Sequence, residues 1–305
     1  MGNAVRVIEP REVPLGVGAL SVRRTLPSRE RSFVGAWCFA DHYGPETGAG
    51  MDVAPHPHAG LQTVSWLFSG EIEHRDSGGV RALVRPGEVN LMTAGAGIAH
   101  SEVSTAASRT LHGVQLWVVL PEAGRDTDRA FQHHVPAVLS ERGVRARVLV
   151  GSLGGVTSPI RSETPLLGAE ITLDPGAAWE LPVDPTFEHG VLVDTGLVDA
   201  DGVRLARGAL GVRDAGIGLL RLSNPTNAAA RLMLLGGTPF DEGVVMWWNF
   251  IGRSHEEIVR LREEWNDAPE ARYGSVAGYR GTPARLLAPP LPVGLRLKPR
   301  FRRGQ

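Results

Sequence analysis

The sequence is poor in several residue types, and each shortage excludes a class of protein. Cys38 is the only cysteine, so no internal disulfide can form, and its apolar surroundings in GAWCFAD predict a small buried side chain. A reducing cytoplasm fits this composition best. Lys298 is the only lysine, and 32 basic residues against 33 acidic ones give a net charge of −1. Because no overall positive field draws the chain onto a polyphosphate, we expect no direct binding to nucleic acid.

Long apolar runs are also missing. No segment approaches the roughly 18 consecutive apolar residues of a membrane span. The first residues, MGNAVRVIEP, do not combine a basic region with an apolar run. We therefore expect a cytoplasmic protein that is neither exported nor embedded in a membrane. The arginine-rich end RLKPRFRRG predicts a solvated or loosely packed tail.

Turn-forming residues, in contrast, are abundant. The 38 glycines and 22 prolines separate short runs rich in β-branched and aromatic residues, such as TVSWLF, VQLWVVL, RARVLVG and AEITL. Many short strands with regular turns predict an all-β sandwich or barrel. The chain length of 305 residues exceeds the usual size of one hydrophobic core, which favours two domains.

A coarse internal repeat supports the division into two domains. The order of strands and turns in TVSWLFSGEIEHRDSGG and VRPGEVNLMTAG returns in HGVLVDTGLVDADG and ARGALGVRD. Two related β-domains explain this pattern, joined near PAVLSERGV. We assign residues 1–140 to the first domain and residues 141–305 to the second.

One helix is predicted near residues 254–266, in RSHEEIVRLREEW. Ser254 is suited to cap its first turn, and Glu257 stands three residues on as a capping-box partner. Ile258, Leu261 and Trp265 form one apolar stripe that should pack against a β-domain. The aromatic pair in VVMWWNF just before the helix is also expected in the core.

The segment PHPHAG places two histidines one residue apart. Because side chains alternate between the faces of a strand, His56 and His58 point the same way and can bind one ion together. His100 and Glu102 in GIAHSEV have the same spacing, and two neighbouring strands would bring all four side chains to one point. A carboxylate that faces an apolar barrel costs several kcal/mol unless a cation or a metal pairs with it. This combination favours a metal site.

The remaining histidines have no such companions in the sequence. We expect each of them at the surface or in a hydrogen bond: His42, His74, His112, His133, His134, His189 and His255. His189 occupies the place in the second half nearest to PHPH, but a single imidazole is a poor metal site. The second domain is therefore predicted to lack metal ligands.

Several segments together resemble the pirin family of two-cupin proteins. Gly50, MDVAP, His56 and His58 fit the cupin pattern of a glycine, five residues and His-x-His, and PGEVNLMTAGAGIAHSE fits the second cupin motif. LPSRERSFVGAWCFADHYGP, HGVQLWVVLP and GGTPFDEGVVMWWNF extend the resemblance over about residues 5–265. It implies an all-β fold of two cupin domains in tandem, each a jelly-roll-like β-barrel, with metal in the first domain and a short C-terminal helix.

The resemblance also implies an activity. It carries the metal ligands over to His56, His58, His100 and Glu102 and makes Fe(II) the expected metal, although three nitrogens and one carboxylate also suit Mn, Co, Ni, Cu or Zn. The implied reaction is quercetin 2,3-dioxygenase-like, in which a flavonol or a related enolic or phenolic compound reacts with dioxygen at the metal. Glu102 is then the base that takes the hydroxyl proton of the substrate. Ala59 and Gln62 stand where pirins often have an arginine and a glutamate, which changes the charge near the site but not the ligands.

Two other functions stay open. The resemblance also implies an iron- and redox-dependent regulatory protein that binds a transcription factor or a metabolic enzyme, through a surface that responds to the oxidation state of the metal. A purely structural metal would instead need four closed ligands. Exposed barrel edges allow a monomer or a weak dimer, and we expect the monomer.

Overall fold

A computed structural model describes residues 4–14, 21–48 and 50–302. Within these ranges the regular structure is almost entirely β-strand, with one α-helix and one short 3-10 helix. The predicted all-β fold with a short C-terminal helix is confirmed. None of the helices in these ranges has the length and apolar character needed to cross a bilayer.

The secondary structure elements follow one another in chain order. The strands up to residue 134 are β1 (Arg6–Ile8), β2 (Arg11–Pro14), β3 (Ser21–Leu26), β4 (Trp37–Thr47), β5 (Asp52–His58), β6 (Leu61–Ser69), β7 (Ile72–Asp76), β8 (Arg81–Val84), β9 (Val89–Thr93), β10 (Ile98–Ser104), β11 (Thr110–Val119) and β12 (Ala130–His134). The next strands are β13 (Leu139–Glu141), β14 (Val144–Val150), β15 (Ser152–Leu153), β16 (Val156–Thr157), β17 (Leu166–Leu173), β18 (Ala178–Pro182), β19 (Glu188–Thr195), β20 (Val198–Ala200), β21 (Val203–Leu205), β22 (Leu210–Arg213), β23 (Leu219–Ser223) and β24 (Ala230–Gly237). The chain continues with β25 (Val245–Trp247), β26 (Phe250–Gly252), helix α1 (His255–Asp267) and the 3-10 helix Pro269–Ala271.

Two sheets form a barrel in each half of the molecule. In the first barrel a seven-stranded sheet has the order β12-β9-β6-β11-β4-β3-β2, and a four-stranded sheet has the order β5-β10-β7-β8. In the second barrel the corresponding orders are β1-β22-β19-β24-β17-β14-β13 and β18-β23-β20-β21. The strands match one for one, so the repeat seen in the sequence is a repeat of topology.

The alternation of side chains along the strands explains how the four-stranded sheet of the first barrel forms. In β7, with the sequence IEHRD, Ile72, His74 and Asp76 are buried while the residues between them are half-buried. Apolar residues from both sheets of this barrel meet in one cluster that includes Val22, Leu67 and Ile72. Period-two burial therefore gives the sheet one interior face, and polar residues on that face lie inside the barrel.

Each end of the chain packs against the barrel that is formed mainly by the other half of the sequence. Strand β1 pairs with β22, with Arg6 opposite Val212, and so extends the large sheet of the second barrel. Helix α1 packs in a cluster that includes Ala59 and Ala99 of the first barrel. The chain passes from the first large sheet to the second between β12 and β13. The domain boundary at residue 140 stays a prediction, and these contacts show that each barrel includes a segment from the other end of the chain.

Helix α1 begins and packs as the sequence predicts, with one difference at its cap. The Ser254 side chain accepts a hydrogen bond from the Glu257 amide, and Ile258, Leu261 and Trp265 are buried. The Glu257 carboxylate does not return to the Ser254 amide. It accepts from the Arg253 amide at 2.7 Å and pairs with Arg125, because a charged partner holds it more strongly than a second cap hydrogen bond would.

The arginine-rich tail was predicted to be solvated or loosely packed, and up to residue 302 it is mostly exposed to solvent but not loose. Val244 and Arg300 form a backbone bridge, and Arg302 Nη1 lies 3.1 Å from Glu188 Oε1. Glu188 is fully buried and also pairs with the buried Arg31. Because a buried carboxylate requires positively charged partners, Arg302 pairs with Glu188, and this ion pair holds the C-terminal segment against the protein.

Polar and apolar contacts hold the two barrels together over a broad face. The indole of Trp37 donates to the Leu167 carbonyl at 3.0 Å, and the indole of Trp66 donates to Glu170 Oε2 at 2.7 Å. The largest apolar cluster contains both of these tryptophans together with Leu192 of the second barrel. The barrels therefore share one core, and residues far apart in the sequence meet at their junction.

Candidate metal centre

Strands β5 and β10 bring the predicted ligands together by antiparallel pairing. His56 stands directly opposite His100 in the register, and His58 lies two residues further along β5 on the same face. The ring centroids are 4.3 Å apart for His56 and His100, 4.9 Å for His58 and His100, and 5.1 Å for His56 and His58. One nitrogen from each ring lies within 4.8 Å of the others. We call these three residues the triad.

Burial keeps the triad neutral, which is the form that binds metal. The pKa of His56 is lowered to about 4, chiefly by burial, and burial lowers the pKa of His58 and of His100 well below the usual value of 6.5. His58 Nδ1 and His100 Nε2 are buried and have no hydrogen-bond partner among the described residues. Such orphaned nitrogen atoms are costly in a folded protein, and a metal ion would satisfy them. The residues therefore fit a metal.

Hydrogen bonds set which nitrogen of two triad rings carries the proton. His56 Nδ1 lies 2.9 Å from the Ala54 carbonyl, so Nδ1 is protonated and Nε2 keeps its lone pair. His74 Nε2 donates to Asp76 Oδ2 at 3.0 Å, which leaves His74 Nδ1 to accept from His100 Nδ1 at 3.4 Å. His100 Nε2 is then the free ligand atom. Such supporting contacts orient metal ligands and raise their basicity.

His74 and Asp76 were missed as supporting residues by the sequence reasoning. His74 is hydrogen-bonded, as expected, but its side chain is also buried, with 3% exposure, and lies directly beside His100. The signal was present in IEHRD, where His74 and Asp76 have the same two-residue spacing as the predicted ligand pairs. Without the pairing of β7 with β10, nothing in the sequence places them beside the triad.

Glu102 lies on β10 where the neighbouring strand β5 has a β-bulge: its partner Val53 is three residues from His56, whereas Glu102 is two residues from His100. The register with β5 shifts between His100 and Glu102, and a carboxylate oxygen of Glu102 lies within 4.8 Å of ring nitrogens of His100 and His74. Burial raises the pKa of Glu102. The Ser65 hydroxyl lies 3.3 Å from Glu102 Oε1 and 2.9 Å from Gln115 Oε1, and its one proton can serve only one of them at a time. The four-ligand set remains a prediction.

A cavity of about 410 Å³ opens onto this cluster. His56, His58 and Glu102 line it, together with Phe39 and Trp117, whose rings stack with centroids 4.0 Å apart. Its size and its mainly apolar walls are typical of a site for a small molecule.

The aromatic pair of VVMWWNF is part of this cavity. Trp247 and Trp248 are half-buried: they pack against the apolar cluster around α1, as the predicted core position requires, and they also line the cavity wall, which was not predicted. Trp248 adopts a positive φ of 50°, which turns the β25–β26 hairpin over the cavity. The sequence could not show this because the hairpin reaches the first barrel only through the tertiary fold.

Comparison with known proteins agrees with the geometry. Residues 19–118 match the model of the Pirin family, and residues 168–270 match that of the Pirin C-terminal cupin domain. A Pseudomonas aeruginosa protein named "Putative quercetin 2,3-dioxygenase" is 44% identical over 279 residues, which cover 90% of this chain and 87% of that protein. The chain belongs to the pirin family.

Two further relatives bear on this pirin. A pirin-like protein of Caulobacter vibrioides is 35% identical over 263 residues, covering 82% of this chain and 89% of that protein. The crystal structure of a quercetin 2,3-dioxygenase from Acinetobacter baumannii superimposes with a TM-score of 0.90 and 37% identity, covering 96% of this chain and 98% of that one. The resemblance to pirins found in the sequence is confirmed.

This pirin has a second histidine cluster, at the junction of the barrels. His42 Nε2 and His112 Nε2 lie 2.7 and 2.5 Å from the same oxygen of Asp194, and all three residues are buried. Arg231 Nε reaches the other carboxylate oxygen at 2.6 Å, and Arg23 Nε donates to His42 Nδ1 at 3.2 Å. We call these residues the junction cluster.

The junction cluster satisfies its own hydrogen bonds. The Nε2 atoms of His42 and His112 lie 3.4 Å apart and both face Asp194 as donors, and Arg23 donates to His42 Nδ1, so neither ring nitrogen of His42 has a lone pair free for a metal. Burial alone would raise the pKa of Asp194, but the hydrogen bonds from His112 and His42 and the charge of Arg231 hold it well below its ordinary value. Burial lowers the pKa of His42, so a neutral imidazole donates to a carboxylate here.

Most of the other histidines are placed as expected. His133 Nδ1 lies 3.0 Å from Asn90 Oδ1, and His255 Nδ1 accepts from the Leu297 amide at 3.2 Å. His134 is half-buried on β12. The expectation of a surface or hydrogen-bonded position is wrong for His189. It is 1% exposed, and neither of its ring nitrogens has a partner among the described residues.

His189 also does not occupy the place of the paired histidines. It lies on β19, the counterpart of β6, whereas the counterpart of β5 is β18. Burial lowers its pKa to about 4, so it packs as a neutral ring in the second barrel. The counterparts of the ligand strands, β18 and β23, instead bury Leu181, Leu220 and Leu222.

Proposed function

We propose that this pirin is a metal-dependent dioxygenase of the quercetin 2,3-dioxygenase type, which acts on a flavonol or a related enolic or phenolic compound. One observation carries the proposal: the cavity of about 410 Å³ ends on His56, His58 and Glu102, and the buried nitrogens His58 Nδ1 and His100 Nε2 at this site have no hydrogen-bond partner among the described residues. A structural metal would not require a cavity of substrate size over its ligands. The similarity to the two quercetin 2,3-dioxygenases supports the same class of substrate.

The proposed ligands are the triad and Glu102, and the expected metal is Fe(II), with Mn, Co, Ni, Cu or Zn as further options for these donors. When bound, such an ion supplies Lewis acidity and a site for dioxygen beside the substrate. The neutral imidazoles of His56 and His100 are held in fixed tautomers by the Ala54 carbonyl and by His74, so little rearrangement of these two rings is required to receive the ion.

The remaining steps belong to residues of the chain. Stacked Phe39 and Trp117 form an aromatic wall on which a flat ring can lie. Glu102 takes the proton of the substrate hydroxyl, because it lies at the cavity base and burial raises its pKa above that of an exposed carboxylate. Ser65 donates to Glu102 when the carboxylate is charged and can turn to Gln115 when it is not. The apolar walls exclude water from the reacting oxygen.

A second candidate function, the redox-dependent regulatory protein, is favoured by one observation. His58 is in contact with the backbone of Asn249, next to Trp248 with its positive φ at the rim of the cavity. A change at the metal can therefore reach a half-buried tryptophan that a protein partner would contact. A regulatory protein of this kind would not convert a substrate in the cavity. Measurements of oxygen uptake therefore separate the two functions.

The decisive experiment is anaerobic reconstitution with Fe(II), followed by oxygen uptake in the presence of quercetin. His58→Ala tests the site, and His133→Ala, which changes an exposed histidine on β12, is the matched control. We expect metal-dependent uptake in the wild type and in the control and none in His58→Ala. A fully metal-loaded wild type that consumes no oxygen would favour the regulatory protein. Cytoplasmic location and a monomeric state remain part of the proposal and are checked by fractionation and by light scattering.

A further inference from the structure

The mouth of the cavity carries an excess of positive charge. Arg11, Arg24 and Arg300 line the cavity, against the carboxylates of Asp41 and Glu102. The chain as a whole has a net charge of −1, so this excess is local. Clefts that concentrate one sign of charge raise the local concentration of ligands of the opposite sign.

Only one of the three guanidinium groups is neutralised. Arg24 forms a bidentate pair with Asp41, at 2.7 and 2.8 Å. Within the described ranges, Arg11 donates only to the Pro27 carbonyl, at 3.3 Å, and the Arg300 side chain has no hydrogen-bond or ion-pair partner. Both are exposed to solvent. Glu102 lies at the cavity base with the triad, so it does not neutralise the mouth.

The arginines at the mouth act on one another electrostatically. The pKa of Arg11 is lowered by burial and then by the charges of Arg24 and Arg300, while Asp41 opposes the shift. Like charges held in one cleft disfavour each other, and an anion between them relieves that repulsion. The guanidinium fork is suited to carboxylate and sulfonate oxygens, to which it donates two parallel hydrogen bonds.

The aromatic wall gives the shape of the remaining part of the ligand. The Arg24 guanidinium lies 4.3 Å from the centroid of the Phe39 ring, which stacks on Trp117. Trp247 and Met246 line the same cavity. A flat ring system is the group that such walls accept most favourably.

We propose that the ligand of this cavity is a flat aromatic or enolic compound that bears a carboxylate or sulfonate at the end opposite its reacting hydroxyl. Arg11 and Arg300 bind the anion at the mouth, and the hydroxyl enters toward His56, His58 and Glu102. The assignment of the reacting end rests on the proposed function. The assignment of the anionic end rests on the charges at the mouth.

A matched pair of ligands tests the anionic end by binding alone. The probes are 1-naphthol and 1-naphthol-4-sulfonate, titrated against the protein loaded with redox-inert Zn(II), with quenching of the cavity tryptophans as the signal. We expect the sulfonate to bind about tenfold more tightly at low salt and the preference to shrink as salt rises. The double variant Arg11→Gln and Arg300→Gln should lose the preference and keep its affinity for 1-naphthol. Arg221→Gln, which changes an exposed arginine on the second barrel, is the control and should behave as the wild type.

Equal or weaker binding of the sulfonate by the wild type would overturn the proposal, and so would a preference that persists in the double variant. Failure of the proposed function has a different signature. Suppose that the wild type prefers the sulfonate but, loaded with Fe(II), consumes no oxygen with quercetin, 1-naphthol or 1-naphthol-4-sulfonate. This result would support the anion site and refute the dioxygenase. Conversely, oxygen uptake with neutral quercetin and no preference for the sulfonate supports the dioxygenase and refutes the anion site.

Discussion

The triad and the junction cluster contain similar residues in opposite states. In the triad, buried nitrogens of His58 and His100 have no partner in the described structure. In the junction cluster, both imidazoles donate to one oxygen of Asp194, and Arg231 binds the other. Burial and histidine content therefore do not identify a metal site. The unpartnered nitrogens beside the cavity are what distinguishes the triad, and they support the proposed metal site because a bound ion would satisfy them.

The surroundings of the triad and of the junction cluster also differ in their openness and in their charge. The triad adjoins a cavity, and a carboxylate oxygen of Glu102 lies within 4.8 Å of a ring nitrogen of His100. The junction cluster is enclosed between two barrels, with guanidinium groups of Arg23 and Arg231 in contact with it. Cations in contact with a cluster disfavour a further cation. The first cluster is open for binding and the second joins the barrels.

Changing the proposed metal ligands should produce the largest effect. We expect His56→Ala, His100→Ala or Glu102→Ala to reduce metal affinity by more than the about 10–100-fold that changes in supporting residues cause, and to abolish oxygen uptake. The fold should be retained, since His100 Nε2 has no hydrogen-bond partner among the described residues and His56 and Glu102 each lose one hydrogen bond, to the Ala54 carbonyl and from Ser65. Metal analysis and circular dichroism measure the two outcomes. Full activity in a metal-free double variant would refute the site.

Changing the junction cluster should lower the free energy of unfolding and leave the metal content unchanged. Asp194→Ala leaves Arg231 and two buried imidazoles without their acceptor, so we expect a loss of about 3–5 kcal/mol in the free energy of unfolding. Urea denaturation measures this loss, and metal content should equal that of the wild type. Asp174→Ala, which breaks a half-exposed pair with Arg145, is the control and should cost at most about 1 kcal/mol. Loss of metal in Asp194→Ala would mean that the two clusters are coupled.

The junction cluster should also make stability depend on pH. His42 has a lowered pKa in the folded protein, so the unfolded chain takes up its proton first, and stability falls as pH decreases below 6.5. Asp194 has a lowered pKa too, so its contribution is complete above its ordinary value of 3.8 and is lost below that pH. His42→Gln keeps a donor for Asp194 and should remove up to about 1.4 kcal/mol per pH unit from the slope just below pH 6.5. Parallel curves for wild type and variant would contradict this assignment.

The smallest effect is expected from the hydroxyl beside the proposed base. Ser65→Ala removes the donor to Glu102 and should lower kcat by about tenfold, because a hydrogen bond to a charged group contributes about 1.5 kcal/mol. Metal content should not change, since Ser65 is not a ligand. Ser69→Ala at the far end of β6, where the hydroxyl donates to the Thr110 carbonyl, is the control and should keep the wild-type kcat. An equal loss in both variants would assign the effect to the strand and not to the proton.

Local patterns in the sequence were sufficient for the triad and for helix α1. The spacing in PHPH and in HSE puts side chains on one face of a strand, and the register of β5 with β10 then brings His56 opposite His100. Ser254 caps α1 as predicted because a cap is decided within one turn. His74 carried a readable spacing as well, but its role depends on the pairing of β7 with β10.

Long-range contacts account for what the sequence did not reveal. His42 and His112 are 70 residues apart, and Asp194 lies 82 residues beyond His112. No local pattern relates these positions. Trp247 and Trp248 reach the cavity only because the β25–β26 hairpin packs on the first barrel, where Phe250 bridges to Ala59.

The sequence by itself determined the strands and the pairs His56 with His58 and His100 with Glu102, because strand periodicity and turns are local properties of the chain, and its resemblance to pirins supplied the two-cupin architecture. The tertiary structure alone decided which buried polar atoms found partners. The meeting of the barrels satisfied His42, His112 and Asp194, whereas the cavity over β5 and β10 left nitrogens of His58 and His100 unpaired. Hydrogen-bond satisfaction depends on every neighbour in three dimensions, and in this pirin it separates the candidate metal centre from a structural junction.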